Sequence, residues 1–206
     1  MFESIEMNIR YRRCFTQHDP EIPGYHRFYS ADKRFPISIS CPQWLGPYYD
    51  FNREHYLKVE FSSSSDMVLT VAREDLAVSA ANGDRRAAAV AAGRLDLFDL
   101  MERSMAEKQQ LYRKHGLGQE IRSYRVTKKS ADFVPVGATG LRAPRATWYT
   151  PSKELGGEWV FFQSRRPSVL WMIIWQANDR YDESDFRQIL SSFRWEDEAF
   201  FQSLPA

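Results

Sequence analysis

The chain has 206 residues, of which 43% are hydrophobic and 27% charged, and its 28 basic and 27 acidic residues leave a formal net charge of +1 at pH 7. These proportions are those of a globular domain and exclude a collagen, a coiled-coil rod and a wholly disordered tail. The near-neutral balance also excludes a nucleic-acid binder that works by bulk charge.

The length suits one large domain or two small ones and is enough to bury a core without staples. Residues 1–24 end in Pro20-Glu21-Ile22-Pro23-Gly24, a loop signal, and read as an N-terminal arm or a separate short strand. A single α+β domain is expected over 25–196, with 197–206 as a C-terminal tail. Met1-Phe2-Glu3-Ser4-Ile5-Glu6 carries acids where a secretory leader carries Lys or Arg, and no apolar stretch follows. The longest apolar run, 169–175, is far short of the roughly 20 residues that span a bilayer. The chain therefore reads as cytoplasmic with no membrane span, unless a leader has been removed.

Residues 25–30 read as a strand, and Phe35-Pro36-Ile37-Ser38-Ile39-Ser40-Cys41 alternates as a half-buried strand does. A loop is expected over 43–53, then a strand over 56–61, a serine turn over 62–65 and a strand over 67–72. Residues 84–115 read as one long helix. Asp84 caps it, and the run 87–92 has high helix propensity. Gly93 permits close packing or a break, and Gly116 suits the left-handed position after the helix. Strands follow at 120–128 and 133–136, then a Gly- and Arg-rich loop at 137–145 and a short strand at 147–150.

A turn over 151–157 leads to strands at 159–163 and 169–176, separated by a turn at 165–168. The last strand is apolar on both alternate sets, which predicts burial on both faces at the centre of a sheet. A closing helix over 182–193, capped by Asp182, places Phe186, Ile189, Leu190 and Phe193 on one face to cover that strand.

The segment Phe35 to Trp44, with its strand and Pro-x-Trp, and the terminal hairpin and helix ending in Ile189-Leu190-Ser191-Ser192-Phe193 together resemble the PsbP-like superfamily. Its members include photosystem extrinsic subunits, a Ran-interacting nuclear import factor and bacterial chaperones of type VI secretion effectors. The resemblance covers about residues 25–195 and rests on core-packing residues. It implies an antiparallel sheet flanked by helices, an αβα sandwich, and roles in assembly or chaperoning rather than catalysis. No functional residue of the superfamily matches residue by residue.

Trp44-Leu45-Gly46-Pro47-Tyr48-Tyr49-Asp50-Phe51 holds four aromatics in eight residues. Trp and Tyr are favoured anchors of protein interfaces, so Trp44, Tyr48, Tyr49 and Phe51 are expected to bind a protein partner or to fold back as a lid. Met101 and Met105 lie on the apolar stripe of the long helix, either as core or as an adaptable partner-binding groove. Arg142 and Arg145 are a weak candidate anion contact in a loop without the signature of a phosphate-binding one. Trp148 or Trp159 on an edge strand would suit a homodimer.

His18, His26, His55 and His115 share no ligand spacing, so no metal or cofactor is expected. Cys14 and Cys41 read as reduced thiols, with a single disulfide between them as the alternative. No nucleophile, base and orienter assemble in sequence. A non-enzymatic adaptor or chaperone is the leading expectation; a protein with an anion-binding or catalytic pocket lined by Trp and Arg is the second.

Overall fold

The computed structural model describes residues 14–30, 32, 34–52, 56–62, 68–114, 125–149, 155–163, 168–178 and 183–197. Two antiparallel sheets form the frame. The small one has the order β1-β2-β3-β11, from β1 (Cys14–His18), β2 (Tyr25–Ser30), β3 (Ile37–Pro42) and β11 (Arg194–Trp195). The large one has the order β4-β5-β6-β10-β9-β8-β7. Its strands are β4 (Gly46–Asn52), β5 (Tyr56–Ser62), β6 (Val68–Asp75), β7 (Arg125–Val136), β8 (Leu141–Tyr149), β9 (Leu155–Gln163) and β10 (Val169–Asn178).

The doubly apolar strand β10 is the middle strand of seven, as its composition requires. Val169, Trp171, Ile173 and Trp175 point into a core shared with the small sheet, beside Phe28, Phe35, Ile37, Ile39 and Cys41. Leu170, Met172 and Ile174 point to the opposite side, which is covered by helices. Those helices are α1 (Leu76–Ala81), α2 (Arg85–Ala91) and α3 (Leu97–Lys114). On the small-sheet side, α4 (Glu183–Ser191) packs against β3 and β7 and buries Phe186, Ile189 and Leu190. The result is an α+β sandwich with helices on both sides of the large sheet. The small sheet adds a second β-layer that sequence periodicity did not announce. Of the expected N-terminal arm, β1 pairs with β2 along its whole length, so the small sheet begins before residue 25.

The long helix expected over 84–115 is two helices. At the end of α2, the Gly93 N–H donates to Val90 O (3.0 Å) and the Arg94 N–H to Ala89 O (2.9 Å), with Gly93 at φ +65°. This is the Schellman arrangement, which closes a helix through a left-handed glycine. Asp96 then opens α3 by accepting from the Asp99 N–H at 2.8 Å. Asp75 and Asp84 cap α1 and α2 in the same way. Burial raises the Asp84 carboxyl, but the Ala87 and Arg86 N–H groups and the Arg86 guanidinium hold it below its ordinary value. Asp84→Ala is expected to cost about 1 kcal/mol, measurable as a lowered urea midpoint. Gly116, Asp182 and residues 151–154 and 165–167 of the expected turns lie outside the described residues; residues 155–157, expected in the first of those turns, belong to β9. No helix among the described residues is long and apolar enough to cross a membrane.

Candidate binding surface

The chain passes from the small sheet to the edge of the large one at residues 42–45. The Leu45 N–H donates to Pro42 O and the Gln43 N–H to Gly24 O, both at 2.9 Å. Leu45 is buried and pins this turn, which turns its neighbour Trp44 outward; Trp44 is 48% exposed. The Trp44 ring lies 6.4 Å from the buried ring of Trp175, so one side rests on the core and the rest meets water. Beside it in sequence, the Gln43 amide and His18 Nδ1 are 2.9 Å apart. His18 in turn meets His26 edge-on at 5.0 Å. An apolar ring next to a small polar cluster is the kind of surface a partner's side chain seats on.

The segment expected as a loop over 43–53 is instead strand β4 from Gly46 onward. Among the described residues it is an edge strand of the large sheet, with β7 at the opposite edge. Aromatic residues favour extended backbone. Pro47, read as a turn residue, is tolerated on an edge strand because its missing N–H interrupts no second ladder. Tyr49 lies opposite Glu60 and Phe51 opposite Lys58. Tyr48 occupies a register shift between Pro47 and Tyr49. The side chains of Tyr48, Tyr49 and Phe51 lie outside the described part of the structure. On β5, Lys58 Nζ and Glu60 Oε1 pair at 2.8 Å, half-buried.

The other expected site residues fall elsewhere. Met101 and Met105 are 1% and 4% exposed and pack in one cluster with Trp159, Phe161 and Leu170. The helix stripe that carries them faces the sheet, so they are core and line no open groove. Arg142 and Arg145 sit in strand β8, not in a loop. Arg142 Nη2 donates to Phe133 O, and Arg145 Nη1 lies 3.2 Å from the wholly buried carboxylate of Glu158. Each guanidinium is engaged by the fold, which removes the reason to expect an anion there. Trp159 is 5% exposed on an interior strand, so it offers no edge for a dimer. The Trp148 side chain, His55 and His115 lie outside the described residues.

Cys41 is buried and free, and burial pushes its thiol up to about 12, so it stays protonated near neutrality. Cys14 pairs with Ser30 and Cys41 with His26, on strands that flank β2. That places them about 10 Å apart across the sheet alone, beyond disulfide reach. Among the described residues, no three of His, Cys, Asp and Glu stand close enough together to hold a metal ion.

Two features escaped the sequence reading. One is the buried cluster of Asp19, Arg27, Ser38, Ser40 and Ser192. The other is a cavity of about 200 Å³ between α1–α3 and the sheet. Both bring together residues from distant parts of the chain, and no local pattern marks them. No protein-family model, curated protein or solved structure matches the chain.

Proposed function

We propose that the protein is a non-enzymatic binding module, an adaptor or chaperone in a protein assembly. Its partner lays an extended segment along the outer edge of β4 and seats an apolar side chain against Trp44. The observation that carries this reading is the position of the aromatic segment. Among the described residues it is one of the two terminal strands of the seven-stranded sheet, and the one entered through a half-exposed Trp44. An edge strand offers a row of backbone donors and acceptors that an added strand satisfies. Trp44 supplies the large, rigid contact that a backbone ladder lacks. The resemblance to PsbP-like proteins, with their assembly and chaperone roles, supports the same reading.

The test is capture of the partner from native host lysate by tagged wild-type protein, with the Trp44→Ala/Tyr48→Ala/Tyr49→Ala variant in parallel. A stoichiometric protein is expected on the wild type and is lost on the triple variant, whose circular dichroism stays native. Truncating anchors of this kind costs about 2 kcal/mol or more each, enough to empty the complex. Equal capture by both proteins would remove β4 and Trp44 from the interface.

A further inference from the structure

The cavity between the helical layer and the large sheet has a division of chemistry. Seven of its eleven lining residues are apolar, with Phe161, Leu170 and Met172 among those contributed by the sheet. Glu74 pairs directly opposite Leu170 across β6 and β10, which puts both side chains on the helix-facing side. Among the described residues, the Glu74 carboxylate and the Ser104 hydroxyl, both lining the cavity, have no hydrogen bond or ion pair.

Arg86, the one basic residue of the lining, is already taken. Its Nη1 donates to Glu107 Oε2 at 2.7 Å and its Nη2 lies 3.6 Å from Asp84 Oδ2. Asp84 also caps the start of α2, where its carboxylate accepts from the Arg86 and Ala87 N–H groups. The charged residues of the lining are two carboxylates, Glu74 and Asp84, and the Arg86 guanidinium, which is paired with Asp84 and with Glu107 outside the lining. An anionic ligand would be repelled there, and a purely apolar one would leave Glu74 without a partner.

From this we infer that the cavity binds a small organic cation with an apolar body, of the arylalkyl- or alkylamine class. The ammonium group donates to Glu74 and Ser104, and the hydrocarbon part lies against Phe161, Leu170 and Met172. The volume is below that of a drug-sized site, so the ligand is smaller than a nucleotide or an organic cofactor. The cavity lies on the helix-covered side and uses no residue of the β4 surface, so the two readings stand or fall separately.

Calorimetric titration of the full chain at neutral pH and low salt decides it, with 2-phenylethylamine, 2-phenylethanol and phenylacetate as probes. Saturable binding of the amine is expected, about tenfold tighter than the alcohol, with phenylacetate weakest. Glu74→Gln is expected to erase the preference for the amine while the alcohol binds as before. Ala87→Leu, which fills the cavity from α2, is expected to weaken both; Trp44→Ala is expected to change neither. Three results would overturn the inference: no saturable binding of any probe, phenylacetate binding as tightly as the amine, or an amine affinity unmoved by Glu74→Gln.

Discussion

Gly137→Ala is expected to destabilise the protein by about 3–5 kcal/mol, combining left-handed strain with a backbone collision. Gly137 opens the 3-10 turn Gly137–Thr139 at φ +52°, and a Cβ there would fall on the Phe193 carbonyl oxygen, with the carbonyl carbon at 2.7 Å. The obstacle is main chain, which cannot rotate away as a side chain does. Phe193 is also the point where α4 hands over to β11, and its ring packs against Phe162, Trp171 and Trp195 at 5.4, 6.3 and 5.1 Å. Displacing it loosens an aromatic cluster on the central strand. Gly140 supplies the control: its φ is +73°, and nothing lies within 4 Å of the position a Cβ would take. Gly140→Ala therefore carries only the conformational cost, about 1–2 kcal/mol. Urea unfolding of the two variants separates the steric part from the dihedral part. Equal losses would mean that the turn does not touch the Phe193 main chain in solution.

What the sequence revealed and what it hid follow one physical division. Strand β10 and helix α4 were legible because burial dictates them residue by residue. A strand apolar on both faces has to be central, and Phe186, Ile189 and Leu190 trace one helical face; the helix ends at Ser191, so Phe193, expected on that face, lies buried just beyond it. The helix over 84–115 was read as one with a break at Gly93 left open, because the propensity of the alanine run outweighed its punctuation. Asn82-Gly83-Asp84 and Gly93-Arg94-Leu95-Asp96 each contain a left-handed stop followed by an aspartate cap, and the structure obeys both. Helix α1 was missed altogether, although Asp75 before Leu76 is the same signal.

The strand β4 was taken for a loop because Gly46-Pro47 resembles a turn wherever the chain is not known to run along an edge. Among the expected partner-binding residues whose side chains are described, Trp44 is exposed, whereas Met101 and Met105 carried the same chemical promise and turned out to face the sheet. Periodicity identifies an apolar face but does not say whether a sheet or water lies against it. The cavity lay beyond local reading for a different reason: Glu74, Ser104 and Phe161 meet only after three separate stretches have folded.

The same holds for the interaction expected to matter most for acid stability. Arg27 on β2 and Asp19, just after β1, are both buried, with Arg27 Nε 3.3 Å from Asp19 Oδ2. The Ser40 hydroxyl donates to that carboxylate, and the Glu21 and Ile22 N–H groups donate to it at 2.7 and 3.1 Å. Arg27 Nη1 reaches Ser38 Oγ and Ser192 O, and the Ser40 N–H donates to Ser192 Oγ at 2.8 Å. The cluster thus ties the β1–β2 turn to β3 and to the exit of α4. Arg27→Ala would leave the Asp19 charge buried without its guanidinium, and a loss of about 3–5 kcal/mol is expected. Arg27→Met paired with Asp19→Asn is expected to recover part of it, because neither charge is then stranded.

The sign with pH follows from Asp19. Burial raises its carboxyl, but Ser40, the Glu21 and Ile22 N–H groups and Arg27 outweigh burial and hold it below its ordinary value of 3.8. A carboxyl whose folded value is depressed adds stability above its unfolded value, and that stability is lost as pH falls through the folded one. The wild type is therefore expected to lose stability below about pH 4, and Asp19→Asn to lose less over the same interval. Asp84, also depressed, acts in the same direction and adds to the residual slope. Urea midpoints at pH 7 and pH 3 for both proteins measure the difference; parallel losses would show that Asp19 titrates alike in the folded and unfolded chain.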